Sequence, residues 1–305
     1  MERLDRQRVE AAESGGMTRP STKILVDGGD QHETARVKQL LGFVDGQTTN
    51  PSLIAMNPEI RQSIRSGHRL TPQQELDEYR HIVEAISPLV GDAGVSIEVF
   101  GDLKTTAEEM FAQGQDMFQW IPNAYVKYPC TAEGLRAAEM SVSQGIRVNM
   151  TLCFSQEQAA AVYGATRGTR EPAYVSPFIG RLDDIGQNGM DLVSNIKRMY
   201  RAGDGHVRVL AASIRSLNHL LQCLSIGADL VTAPATVLSQ WAETGLSMHP
   251  PGFRYTPTGK PITYQDLDLE QPWHRLNIHH ELTIKGVEKF AADYRATLSQ
   301  TTQLS

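Results

Sequence analysis

Short apolar runs rich in β-branched residues recur along this chain, at 23–26, 43–45, 95–99, 124–126, 147–150, 173–175, 207–210 and 230–232. Between them, apolar spacing over 105–115, 133–144, 156–163, 190–201 and 217–226 fits helices, so strands alternate with helices. That alternation reads as parallel βα units. Eight such units, each ending in polar residues, predict an α/β fold, a single (β/α)8 TIM barrel with its chemistry at the C-terminal face. A doubly wound open sheet has the same rhythm, but no G-x-G-x-x-G follows the first strand, as nucleotide-binding versions of that fold require. The 305 residues suit one large barrel as well as two average domains.

The stretch 247–272 is rich in Pro, Gly and Thr and breaks the alternation, so it reads as a surface excursion. Apolar residues Leu282, Val287, Phe290, Ala291 and Leu298 then recur at helical spacing over 281–298, predicting a terminal helix packed back on the barrel. Residues 1–22 mix Arg, Glu and Ser-Gly-Gly without an apolar core. They read as a flexible lead-in to a catalytic domain over 23–305, neither signal peptide nor membrane anchor, with Met17 as an alternative translation start.

A formal net charge of −6 argues against a broad nucleic-acid surface, which needs a basic stripe to displace counterions from phosphates. Three cysteines, Cys130, Cys153 and Cys223, form no C-x-x-C pair, and an odd count without a disulfide framework fits a reducing cytoplasm. The nine histidines contain no H-E-x-x-H, so neither a metal nor another cofactor is expected.

Lys127 ends the apolar run 124–126 and precedes Tyr128-Pro129, which places its amine at the barrel mouth. By position alone a strand-end lysine snorkels to solvent. Kept from water by apolar walls, a lysine is instead driven toward the neutral form that attacks carbonyls. Other strand ends supply Asp27, Asn50, Glu98, Asn149 and Thr151. A carboxylate in an apolar strand is costly to bury unless paired or hydrogen-bonded, so Asp27 and Glu98 are either structural hydrogen-bonders or functional groups.

Asp27, the run Thr48-Thr49-Asn50-Pro51-Ser52-Leu53, Val126-Lys127-Tyr128-Pro129 and Asn149-Met150-Thr151-Leu152 resemble the successive strand-end motifs of the transaldolase family. Ser176-Pro177-Phe178-Ile179-Gly180-Arg181, Ala212-Ser213-Ile214-Arg215 and Lys285-Gly286-Val287-Glu288-Lys289-Phe290 are similar to its later motifs, in the same order. The resemblance implies transfer of a dihydroxyacetone unit from fructose 6-phosphate or sedoheptulose 7-phosphate to an aldose phosphate, as in the pentose phosphate pathway. It implies an imine at Lys127, proton transfer by Asp27, and a water held among Glu98, Thr151 and Asp27. Asn50 and Asn149, with Thr49, Ser52, Ser176 and Phe178, are implied as further substrate contacts, and Arg181, Ser213 and Arg215 as phosphate ligands. Guanidinium forks suit phosphate oxygens on physical grounds as well.

In the related fructose-6-phosphate aldolases the equivalents of Glu98 and Phe178 are typically Gln and Tyr, so Glu and Phe favour transfer over release of free dihydroxyacetone. Tyr128, Cys130, Met150 and Ile214 depart from the family's usual residues, which leaves open a specialised enzyme with a different acceptor. A free aldolase and a non-catalytic sugar-phosphate-binding barrel are the remaining alternatives. The expected partners are small sugar phosphates, with no nucleic acid and no membrane, and the reading allows a homo-oligomer.

Overall fold

A computed structural model describes residues 19–298 except 68, 251, 252 and 258; most of the 1–22 lead-in, Met17 included, lies outside the described residues. Eight parallel strands close into a barrel in sequence order: β1 Lys23–Asp27, β2 Gly46–Thr48, β3 Gly94–Glu98, β4 Ala124–Pro129, β5 Val148–Cys153, β6 Ala173–Pro177, β7 Val207–Ala211 and β8 Leu230–Ala233. Around them run helices α1 Gln31–Leu41, α2 Pro51–Ala55, α3 Pro58–Arg65, α4 Pro72–Ile86, α5 Ala107–Phe118, α6 Ala132–Ser143, α7 Gln156–Ala165, α8 Ile179–Asp183, α9 Gly189–Tyr200, α10 Leu217–Ile226, α11 Ala235–Glu243 and α12 Glu281–Thr297. The TIM barrel expected from the strand–helix rhythm is present.

Sequence chemistry fixes where each strand hands over to its helix. Thr106, Thr131, Ser155 and Ser216 each accept a backbone N–H of the following first turn, which satisfies donors that a helix start would leave orphaned. Strand β2 departs from expectation, falling at Gly46–Thr48 instead of 43–45. The apolar Phe43-Val44 pair leads into the strand, and the Asp45 carboxylate accepts the Ile24 N–H at 2.8 Å. Barrel pairing starts at Gly46, where a Cβ would stand 2.5 Å from the Gly94 carbonyl oxygen. Polar Gln47 and Thr48, satisfied by Thr34 at 2.6 Å and Asp27 at 2.7 Å, give this strand no apolar run.

The stretch 247–272 carries no helix or strand among its described residues. It is tied to the barrel's outer helices by Gln156, which exchanges hydrogen bonds with the Gln265 backbone at 2.8 and 3.1 Å, and by Asp191, which accepts the Ile262 N–H. Helix α12 returns to the barrel mouth as expected: the Thr283 hydroxyl donates to the Leu152 carbonyl at 2.9 Å, and Phe290 is buried.

The far end of α12 is fastened by a buried acid. The Thr297 hydroxyl donates to Glu75 Oε2 at 2.6 Å, while Oε1 has no partner among the described residues. Burial pushes the Glu75 carboxyl up from 4.5 to about 7, against the smaller opposing effect of that hydrogen bond. A carboxyl that holds its proton more tightly folded than unfolded costs stability as pH rises through this interval. Glu75→Gln is therefore expected to raise Tm at pH 8 and leave it nearly unchanged at pH 4, as thermal denaturation at the two pH values would measure; a loss at pH 8 larger than at pH 4 would make the carboxylate itself the stabilising form.

Candidate active site

Parallel register sets the geometry. Glu98 pairs with Lys127 across β3 and β4, and Lys127 with Asn149 across β4 and β5, so three strands carry polar side chains at one level. Lys127 and Glu98 are each 3 % exposed. The Lys127 amine lies 3.0 Å from Glu98 Oε2 and donates to the Thr49 carbonyl at 3.0 Å. Apart from that ion pair, Oε2, like the buried Thr151 hydroxyl, has no hydrogen-bond partner among the described residues. Buried polar atoms of this kind are what a water would satisfy.

Asp27, at the end of β1, is half-buried and faces the pocket at the barrel mouth. Burial pushes its carboxyl up; the nearby Lys127 charge and the Thr48 hydrogen bond pull the other way and only partly compensate. Burial likewise raises Glu98, opposed chiefly by Lys127. The Thr48 hydroxyl donates to Asp27 Oδ1 at 2.7 Å. Having spent its proton, Thr48 accepts from Thr232, 2.7 Å away. A second relay holds Glu98: its backbone N–H donates to the Tyr79 hydroxyl at 2.9 Å, Tyr79 donates to Thr49 Oγ1 at 2.6 Å, and Thr49 donates to the Ser96 carbonyl at 2.8 Å.

Above these groups opens a pocket of about 470 Å³ whose lining includes Asp27, Asn50, Ser52, Lys127, Ser176, Phe178, Arg181, Ser213 and Arg215. Asn50 caps α2 through Oδ1, accepting the Leu53 N–H at 2.9 Å. Asn149 is buried beside the pocket, donating to Ser96 Oγ at 3.0 Å and accepting from Ser176 Oγ at 2.8 Å. Thr49 is also outside the lining, and what it offers the site is its carbonyl. A more apolar cavity of about 240 Å³ lies behind Glu98, between α12 and the loop after β3. Phe100, Met110 and Tyr294 line it and no described cation does, so it does not suit a phosphate.

Arg181 and Arg215 meet because α8 and the loop after β7 touch. A Cβ at Gly180 would stand 2.5 Å from both the Ser213 carbonyl oxygen and Arg215 Cγ, and the Gly180 N–H donates to that carbonyl at 3.0 Å. Ser213 holds a left-handed φ of 59° and Leu152, at the β5 bulge, one of 57°. Such backbone strain in non-glycine residues persists where surroundings over-determine it, often at sites of chemistry. The Arg181 guanidinium carbon lies 5.5 Å from the Phe178 ring centre and 5.4 Å from that of Phe290. Burial lowers its basicity, with Glu98 opposing.

Thr48, Tyr79 and Thr232 were not singled out in the sequence. Thr48 lies in a quoted motif, whereas Tyr79 and Thr232 give no local signal. The described residues contain no group of three or more His, Cys, Asp or Glu placed to hold a metal ion, and no helix long and apolar enough to cross a membrane.

Fold and site together define a (β/α)8 barrel with a buried amine, paired carboxylates and a cationic rim at its C-terminal mouth. The chain belongs to the transaldolase/fructose-6-phosphate aldolase family, whose model matches residues 24–301. It is 39 % identical over 277 residues to a "Probable transaldolase" of Cereibacter sphaeroides, covering 90 % of this chain and 96 % of that one. A protein of the same name from Paracoccus denitrificans is 36 % identical, covering 88 % and 95 %, and one from Bacteroides thetaiotaomicron 40 % identical, covering 72 % and 89 %.

Proposed function

We propose that this protein is a transaldolase, a transferase that moves a dihydroxyacetone unit from a ketose phosphate to an aldose phosphate through an imine at Lys127. One observation carries the reading: a buried lysine amine, on the wall of the pocket, 3.0 Å from a carboxylate whose own pKa burial has raised, with a second raised carboxyl lining that pocket. Two acids tuned upward beside one nucleophile suit alternating proton transfers.

Glu98 takes the ammonium proton, and the freed amine attacks the ketone carbon of the donor sugar. The carbinolamine expels water through Glu98 and Thr151, leaving an iminium that acts as an electron sink. Asp27 accepts the C4 hydroxyl proton, the C3–C4 bond breaks, and an aldose phosphate departs while the three-carbon enamine stays on Lys127. An acceptor aldehyde reverses these steps. Asn50, Ser176 and Asn149 serve the sugar hydroxyls and their alignment, and Arg181, Ser213 and Arg215 the phosphate. Sugar phosphates of this kind are processed in the cytoplasm, where the three buried thiols remain reduced.

Phe178 decides between transfer and release. It is buried against Arg181 and Phe154 and has no hydroxyl to protonate the enamine. With fructose 6-phosphate, product is expected to form with erythrose 4-phosphate much faster than free dihydroxyacetone appears without an acceptor. Phe178→Tyr should raise the released fraction. Release as fast as transfer by the unmodified protein would make it an aldolase.

A further inference from the structure

We infer that Lys289 is a third phosphate-binding cation, supplied by α12, which exchanges its partner Asp293 for the substrate phosphate; the inference deepens the transaldolase reading and rests on it. Lys289 and its neighbour Phe290 line the same pocket as Lys127, Arg181 and Arg215. Helix α12 is held close to that pocket at Gly286, where a Cβ would come within 2.6 Å of Leu152 Cδ2 and 2.9 Å of an Arg181 guanidinium nitrogen. Lys289, one turn further along, therefore reaches the mouth from α12, whereas Arg215 reaches it from the loop after β7.

The three cations are held differently. Arg181 lies part-buried between two phenylalanine rings, with no carboxylate at ion-pair distance among the described residues, and forms the fixed centre. Arg215 and Lys289 are each paired with an acid: Arg215 with Asp184 at 3.0 Å, Lys289 with Asp293 at 2.8 Å. The side chains of both cations are more than half exposed, at 52 % and 61 %, and solvent-exposed pairs of this kind add little stability. A phosphate monoester carrying about −1.5 to −2 charges, with three acceptor oxygens, attracts a cation more strongly than one carboxylate does. Exchange of partner is thus favoured once the phosphate is seated on Arg181.

Asp293 does not become orphaned when Lys289 leaves. Its carboxylate also accepts the Ser52 hydroxyl from the opposite wall, so the Ser52–Asp293 contact holds α12 to α2 while Lys289 turns inward. Asp293 acts as the free-state partner that keeps Lys289 at the rim.

The inference predicts different responses from the two halves of one ion pair. Binding of inorganic phosphate to the full chain, followed by calorimetry, reads it without turnover. Lys289→Met should weaken phosphate binding by about ten-fold, the scale for losing one charge-assisted contact, and Lys289→Arg should restore most of it. Asp293→Asn, which keeps an acceptor for Ser52, should leave phosphate binding unchanged or tighten it. With fructose 6-phosphate, Lys289→Met should raise KM more than it lowers kcat, while borohydride labelling of Lys127 by unphosphorylated dihydroxyacetone stays at its original level. Two results would overturn the assignment: phosphate affinity unaffected by Lys289→Met, or weakened alike by Lys289→Met and Asp293→Asn, as a purely structural pair requires. Absence of dihydroxyacetone labelling in the unmodified protein would refute the imine reading alone, because phosphate affinity is measured separately.

Discussion

Lys127→Met should abolish both turnover and the borohydride-stable adduct that fructose 6-phosphate leaves on the unmodified protein. Methionine fills nearly the same volume as lysine, so the site is not opened to water by a cavity. It has no nitrogen to attack the ketone, and kcat should fall at least about a thousand-fold, the scale on which losing a covalent nucleophile falls. The substitution also strips Glu98 of the positive charge 3.0 Å away, which is the largest influence opposing the upward push of burial. Glu98 should then hold a proton over a wider pH range and the fold survive, because a neutral carboxyl is cheaper to bury than an unpaired charge. Mass spectrometry of the reduced, digested protein checks the chemistry and circular dichroism the fold. A labelled peptide without Lys127, or appreciable turnover by the variant, would remove the imine from this residue.

How much of this was legible in the chain depends on which residues act through the barrel's repeat and which through contacts remote in sequence. Lys127, Glu98, Asn149 and Thr151 stand at ends of apolar strands, and parallel pairing turns equal positions in successive strands into neighbours. A reader of strand ends therefore finds them. Strand β2 lies outside the apolar run at 43–45 because Gly46, Gln47 and Thr48 are held by backbone approach and hydrogen bonds, which leave no apolar signature. Thr49 sits in the same motif as Asn50, but alternation along the chain turns its hydroxyl to Tyr79 and Ser96, away from the pocket. Tyr79 acts from α4, where an aromatic on a helix's apolar face looks like ordinary core. Lys289 looks like the solvated side of an amphipathic helix, and only the fold brings that side to the mouth.

Asp27→Asn should separate carbon–carbon cleavage from imine formation. Asparagine has nearly the same shape and still accepts the Thr48 hydrogen bond that orients Asp27, yet it cannot take the proton from the C4 hydroxyl. Loss of a general base typically costs about 10²- to 10⁴-fold, so kcat for transfer should fall within that range. In the proposed mechanism imine formation is served by Glu98 and Thr151, so dihydroxyacetone and borohydride should still label Lys127 in the variant nearly as fully as in the unmodified protein. The unmodified enzyme supplies a second reading through pH. Burial holds the Asp27 carboxyl above its ordinary value, and a base works only when deprotonated. Its transfer rate should therefore decline, as pH is lowered, from a point above the usual carboxylate range, and the variant's residual rate should lack that contribution. If labelling fell in Asp27→Asn by the same factor as transfer, Asp27 would be acting before the bond breaks, in carbinolamine formation or dehydration, and the division of labour between the two carboxyls would have to be reversed.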